Sequence, residues 1–328
     1  MGGNEPAYTF SKRALEAGKS VCTSNKELVA NHGAELLRLA RENRCNYFFE
    51  ASVGGGIPII RPINDCLTAE RIVEVSGILN GTTNYILTKM EQEGMLFEEA
   101  LGQAQALGYA ERNPEADVEG YDACRKIAIL TSLVAGKTVD FHKIHTEGIT
   151  GIDPTDFAYA KKLDATIKLL AVSRETEDGY QISVAPYLLK KENALAGVND
   201  VFNAVAVCGN TLGDTMFYGR GAGKLPTASA VVADVVECAR HLQKTVGCLW
   251  EEGEAKVADF DSQEGRFFVR VLKKARADVE KVFGAVVPVV LDSALEEFAF
   301  VTESMQEAEF EKCREQIFGF VKKIRIKD

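Results

Sequence analysis

The chain has 328 residues, 46% of them hydrophobic and 26% charged, a globular composition too large for one ordinary core and suited to two or three domains. A formal net charge of −10 argues against nucleic acid or an anionic membrane as a partner, because either would repel such a surface. No apolar run approaches the ~18 residues of a membrane helix. Residues Met1 to Pro6 carry no secretory signal, and eight scattered cysteines without a C-x-x-C pair point to a reducing, cytoplasmic setting.

In chain order, Thr9 to Ala17 reads as a helix ended by Gly18, and Lys19 to Thr23 as a short strand. Asn25 or Ser24 caps a second helix running to about Glu42, with Leu28, Leu36, Leu37 and Leu39 on its apolar face. Tyr47 to Phe49 is another strand, leading into the glycine-rich Val53-Gly54-Gly55-Gly56-Ile57-Pro58. Strand and helix alternating at these lengths predict parallel strands with crossover helices. No G-x-G-x-x-G follows a strand near the N-terminus, so the chain is expected to begin in the middle of a nucleotide-binding sheet.

From Arg71 the character changes. Ile72 to Ile78 alternates as a strand, and helices follow over Thr82 to Gly94, Leu96 to Leu107 and about Val118 to Ala135. Lys168 to Val172, Tyr180 to Leu189 and Phe202 to Cys208 read as strands of a largely antiparallel sheet, and Thr227 to about Thr245 as a long helix. Glu251 to Gly265 is polar and reads as a linker. Beyond it, Phe267 to Leu272, Asp278 to Phe283, Val286 to Leu291, Glu297 to Ser304, Ala308 to Phe320 and Ile324 to Lys327 predict β-α-β-β-α-β, a small ferredoxin-like unit. His142-x-x-His145 has no third ligand nearby and reads as two ordinary histidines.

The stretch from Leu107 to Lys126 carries the chemistry. A polar loop holding Glu111, Glu115, Asp117 and Glu119 enters a helix that is apolar over most of its circumference. Asp122 and Lys126 stand four apart on the face continued by Ile129 and Leu133, so the charged pair is expected to point inward. An exposed i,i+4 pair would be worth only a few tenths of a kcal/mol. An inward lysine must be paired, and it suits proton exchange with a substrate hydroxyl. A second lysine, Lys26, sits at a strand end, where open α/β sheets bind ligands.

Five ordered blocks resemble the homoserine dehydrogenase family: Gly2-Gly3 through Lys26, Glu50 through Pro58, Gly77 through Ile86, Gly108 through Lys126, and Gly219 through Asp234. The resemblance implies NAD(P)H-dependent interconversion of L-aspartate 4-semialdehyde and L-homoserine, on the route to threonine, methionine and isoleucine. It implies Lys126 as the proton donor, with Lys26 as a second catalytic lysine beside the nicotinamide. Glu111, Asp117 and Asp122 would hold substrate, with Glu111 matched to its ammonium. Lys26, Gly108, Glu111 and Gly223 would lie near the cofactor, NADP or NAD. A sodium ion is implied at Glu50, Val53, Gly55 and Ile57, mostly on backbone carbonyls, a plausible use of a glycine-rich loop.

The implied architecture is α/β. Residues 1–50 form the remainder of a Rossmann-like parallel-sheet domain, with a return helix at 219–245. Residues 51–218 form an α+β substrate-binding and dimerisation unit, and 262–328 a ferredoxin-like, ACT-like unit. The first ACT-like loop, Leu272 to Val279, lacks that module's usual Pro-Gly turn. A homodimer or dimer of dimers is expected. With its opening β-α-β absent, the chain is expected to bind cofactor poorly. The alternative is a non-catalytic remnant that binds amino acids or dimerises.

Overall fold

The computed structural model describes residues 3–248, 250–291 and 295–327. Helix α1 (Ala7–Glu16), strand β1 (Val21–Cys22), helix α2 (Lys26–Glu42) and strand β2 (Tyr47–Phe48) follow the expected alternation. β1 and β2 are parallel, Val21 opposite Tyr47. Asn25 is the cap of α2, its side chain accepting from the Leu28 amide, and Leu28, Leu36, Leu37 and Leu39 are buried beneath it.

The next elements are β3 (Ile72–Ile78), α3 (Gly81–Glu93), α4 (Phe97–Ala106), a one-turn α5 (Glu115–Val118) and α6 (Tyr121–Ala135). The single helix expected from Val118 is therefore broken. Gly120 lies at φ +82°, and a Cβ there would stand 3.1 Å from Thr146 Cγ2, so the chain turns sharply before α6 begins.

Then come β4 (Lys137–Thr138), β5 (His145–Thr146), α7 (Pro154–Lys162), β6 (Ala165–Thr176), β7 (Gly179–Lys190), β8 (Phe202–Gly209), β9 (Gly213–Arg220) and α8 (Lys224–Arg240). The return helix starts three residues earlier than its sequence pattern implies and ends at Arg240. The C-terminal part holds β10 (Glu251–Glu254), β11 (Glu264–Gly265), β12 (Phe267–Leu272), α9 (Arg276–Phe283), β13 (Glu297–Val301), β14 (Met305–Gln306), α10 (Glu307–Arg314) and β15 (Phe320–Lys327). Two expectations fail here. The polar 251–265 stretch includes β10, which pairs parallel with β4, and β11, which pairs antiparallel with β14. The strand expected over Val286 to Leu291 shrinks to a single bridge, Val289 to Ala299.

A nine-stranded sheet organises the molecule in the order β13-β12-β15-β7-β6-β3-β8-β9, with β5 also on β7. Its long central hairpin pairs β6 with β7 over their whole length, and every other junction along the path is antiparallel except one. The exception is β15 with β7, Arg325 opposite Tyr187, where the C-terminal strands join the central sheet. The fold is thus mixed α/β with a sheet that contains parallel pairs. Helix α6 lies on one face of this sheet with Ile127, Ile129, Leu130 and Leu133 buried, and α2 packs against α6. That contact brings the start of α2 beside the start of α6.

Candidate active site

Helix α6 begins with Tyr121, so Asp122 stands in its first turn, where a carboxylate complements the exposed amides. The expected inward turn of the pair is what is found: Asp122 is 6% and Lys126 9% exposed. Lys126 Nζ donates to Asp122 Oδ2 at 2.7 Å and to the Leu79 carbonyl at 2.7 Å, just past the end of β3. The other carboxylate oxygen, Oδ1, pairs with Lys26 Nζ at 2.9 Å. Lys26 opens α2 and keeps 40% of its side chain exposed. One carboxylate thus organises two ammoniums, one buried and one at the rim.

Asn80 ties the arrangement to β3. Its Nδ2 donates to Asp122 Oδ2 at 2.9 Å and to Asp117 Oδ1 at 2.7 Å, while its Oδ1 caps α3 through the Thr83 amide at 2.9 Å. Burial works to raise the Asp122 carboxyl, but the charges of Lys126 and Lys26 outweigh it and hold the group well below the usual carboxylate range. Asp117 goes the other way: burial pushes it up, against the Asn80 hydrogen bond, and the Asp122 charge adds to the rise. Two carboxylates bridged by one amide therefore have opposite tendencies.

The remaining candidates divide. Glu111 is exposed in the loop after α4, its carbonyl accepting from Gln105 Nε2 at 3.1 Å, and no hydrogen bond or ion pair among the described residues joins its carboxylate to Asp122 or Lys126. Gly108, at φ +75°, turns the chain into the same loop with nothing near an added Cβ. Gly223, at φ +117°, precedes α8. Glu50 is buried with its carboxylate fully occupied, accepting from the amides of Ile59 (2.6 Å), Ile60 (2.8 Å) and Arg61 (3.0 Å). In the 53–57 turn the Ile57 amide donates to the Gly54 carbonyl and the Gly56 amide to that of Arg220. Those bonds leave the carbonyls of Val53, Gly55 and Ile57 out. Gly55, at φ +58°, lies so close to Gly221 that a Cβ would stand 2.3 Å from its carbonyl oxygen. Among the described residues no group of three or more His, Cys, Asp or Glu side chains is placed to hold a metal.

Sequence reasoning did not single out Asn80, Asp234 or Arg61. Asp234 on α8 accepts from the Glu50 amide at 3.0 Å and from Arg61 Nη2 at 3.1 Å, and burial pushes its carboxyl up to about 6. Its place in α8 fastens that helix to the 50–61 segment. Asn80 carried a usable signal, since an Asn one residue before a helix is a cap whose side chain must point into the helix start. His145 proves ordinary: it bonds Glu147 at 2.6 Å and stacks on Phe260.

A recess of about 380 Å³ opens at the end of β1, lined by Val21 to Asn25 and by Val231 of α8. It adjoins Lys26, at the carboxyl end of a parallel strand, where such sheets bind ligands.

The homoserine dehydrogenase family profile matches residues 58–236. A Bacillus subtilis homoserine dehydrogenase is 39% identical over 94% of this chain and 75% of its own length. Against other curated homoserine dehydrogenases, 42% to 48% identical, the chain spans 55% to 59% of their length. A homoserine dehydrogenase crystal structure from Thiobacillus denitrificans superposes with a TM-score of 0.92 at 33% identity, covering 100% of this chain and 81% of that one. A hyperthermophilic archaeal homoserine dehydrogenase in complex with NADPH aligns with 76% of this chain and 71% of its own, TM-score 0.66, 33% identity. The profile, the curated relatives and the shared fold agree, and the chain belongs to the homoserine dehydrogenase family.

Proposed function

We propose that this chain interconverts L-aspartate 4-semialdehyde and L-homoserine, with Lys126 exchanging the proton of the substrate oxygen. The observation that carries the reading is a buried lysine whose only described partners are one carboxylate and one carbonyl, at the end of a strand and beside a second, exposed lysine. Reduction adds a hydride to the aldehyde carbon, the C=O π pair moves to oxygen, and that oxygen takes a proton from Nζ of Lys126. Asp122 pairs with both ammoniums, and Lys26 is partly in water, so Lys126 is held in a dry place beside a counter-ion. Lys26, half in solvent, is suited to returning a proton to the site and to meeting an anionic group of cofactor or substrate. Asp117, fixed by Asn80, would receive the substrate's polar end, and Glu111, in its exposed loop, the ammonium.

NADP or NAD supplies the hydride when bound. The recess at the end of β1 and the turn at Gly223 fit that group, because open backbone and small residues face it there. Gly108 and Glu111 would close the loop side. A sodium ion fits the carbonyls of Val53, Gly55 and Ile57, with Glu50 contributing its carbonyl and not its carboxylate. The likeness of the 262–328 segment to an ACT-like unit draws support from its own cluster around Phe267, Phe298, Phe300 and Phe310. We read residues 1–50 with α8 as the nucleotide-binding part, 51–218 as the substrate and dimerisation part, and the cytoplasm as the compartment. No helix among the described residues is long and apolar enough to cross a membrane.

The test is oxidation of L-homoserine followed by nicotinamide absorbance, with NADP and NAD in parallel. Reduction of either cofactor that depends on homoserine, and fails with other amino alcohols, is the expected result. No reduction with either cofactor, in protein that binds that cofactor in a titration and melts cooperatively, would overturn the reading.

A further inference from the structure

Away from Asp122, a recess of about 340 Å³ opens at the seam where β15 joins β7. Arg325 lies in this seam, 6% exposed and held from three sides. Its Nε donates to Glu307, its Nη1 pairs with Glu147 at 2.9 Å, and its guanidinium lies 4.9 Å over the Phe260 ring, itself stacked on His145. The remaining nitrogen, Nη2, is buried with no partner. Gln263, lining the same recess, has a buried Nε2 that is also without a partner. On the neighbouring strand β7, Ser183 and Tyr187 spend their hydroxyls on each other at 2.8 Å.

A buried, unmet N–H costs about 1–3 kcal/mol, more when it belongs to a charged group, so such donors are normally satisfied. Here the two residues that carry them line one recess in which basic side chains outnumber acidic ones. The plane of the Arg325 guanidinium is fixed by its contacts with Glu307, Glu147 and Phe260. A guanidinium and an amide on the lining of one recess are a donor set suited to a group with two acceptor oxygens. The recess is large enough for a molecule of several heavy atoms rather than a lone ion.

We propose that the β7–β15 seam is a second binding site, taking a small molecule that presents a carboxylate or phosphate group to the Arg325 and Gln263 side chains. The site joins two stretches of sheet far apart in the sequence, so an occupant tightens the hold of the C-terminal strands on the central sheet. Catalytic residues take no part in it.

The experiment is a thermal melt of the whole chain with sodium acetate, sodium succinate or sodium phosphate, against sodium chloride at equal ionic strength. The expected result is a rise of about 2 °C or more with saturable dose dependence in at least one of the three. Phosphate alone would assign a phosphate-bearing occupant, and acetate or succinate alone a carboxylate. Gln263→Glu, at a half-exposed position where the fold is spared, should abolish the rise by replacing the donor with a like charge; Arg325→Lys should weaken it. A rise no larger than with chloride, or one retained in Gln263→Glu, would overturn the proposal, leaving only water at the two donors.

Discussion

At the scale of single residues, Asp122 decides most. It accepts from Lys126, Lys26 and Asn80 while almost wholly out of water. Removing its charge leaves Lys126 buried without a counter-ion, whereas removing Lys126 leaves Asp122 still paired with Lys26. The two substitutions should therefore differ. Asp122→Asn is expected to cost about 3–5 kcal/mol in chemical denaturation, the usual penalty for breaking a buried pair from one side, and Lys126→Met clearly less. Equal costs, or none, would mean that the pair is wetter than its geometry indicates. The inward face of α6 was legible, because Asp122, Lys126, Ile129 and Leu133 share a helical stripe and all are buried. The convergence of Lys26 and Asn80 on that carboxylate was not, since no local periodicity reports which distant segments meet. Nor does sequence say that Glu50 spends its carboxylate on the amides of residues 59 to 61.

Among elements, the boundaries written in caps and punctuation were readable and those set by pairing were not. Asn25 marks the start of α2, and glycines 94 and 136 end α3 and α6 in the left-handed region. By contrast, Val286 to Leu291 is apolar enough for a strand but has a partner at only one residue. Strand β15 reaches back to Phe320 because β12 pairs with it there. The junction of the C-terminal strands with the central sheet is laced with ions. Arg270 of β12 holds Asp153 and Asp156 at the start of α7 and Glu297 of β13, and Lys322 of β15 joins Asp153 and Asp156.

Burial raises both Glu147 and Asp153, but the His145 and Arg325 contacts and the Lys322 and Arg270 contacts, respectively, pull each down to about 2. The ordinary values are 4.5 and 3.8. Such depressed carboxyls contribute stability that is full above the ordinary values and is lost as pH falls through the folded ones. The junction should thus weaken between about pH 4.5 and pH 2, visible as growing hydrogen exchange in β12 and β15 ahead of β6 and β7. Uniform loss across all four strands would contradict this.

For the whole molecule, the path from β13 to β9 makes one sheet serve two purposes. Its centre carries α6 with Asp122 and Lys126, and the junction with its C-terminal strands carries the anion-suited seam. The parallel β1 and β2 with α2 bring a second lysine from outside that sheet, so the candidate site exists only where the two parts touch. The mixed α/β class and the order of most elements followed from hydrophobic period and turn residues; the joining of β15 to β7 did not, because parallel partners distant in sequence leave no local mark.

The most direct test of the lysine's role is kcat for homoserine oxidation in Lys126→Met beside the parent, with melting curves of both. A loss of about 10²–10⁴-fold in a variant that still melts cooperatively is the predicted result. A kcat within a few-fold of the parent would contradict it, because among the described residues no other buried amine stands at the end of β3 to exchange the proton.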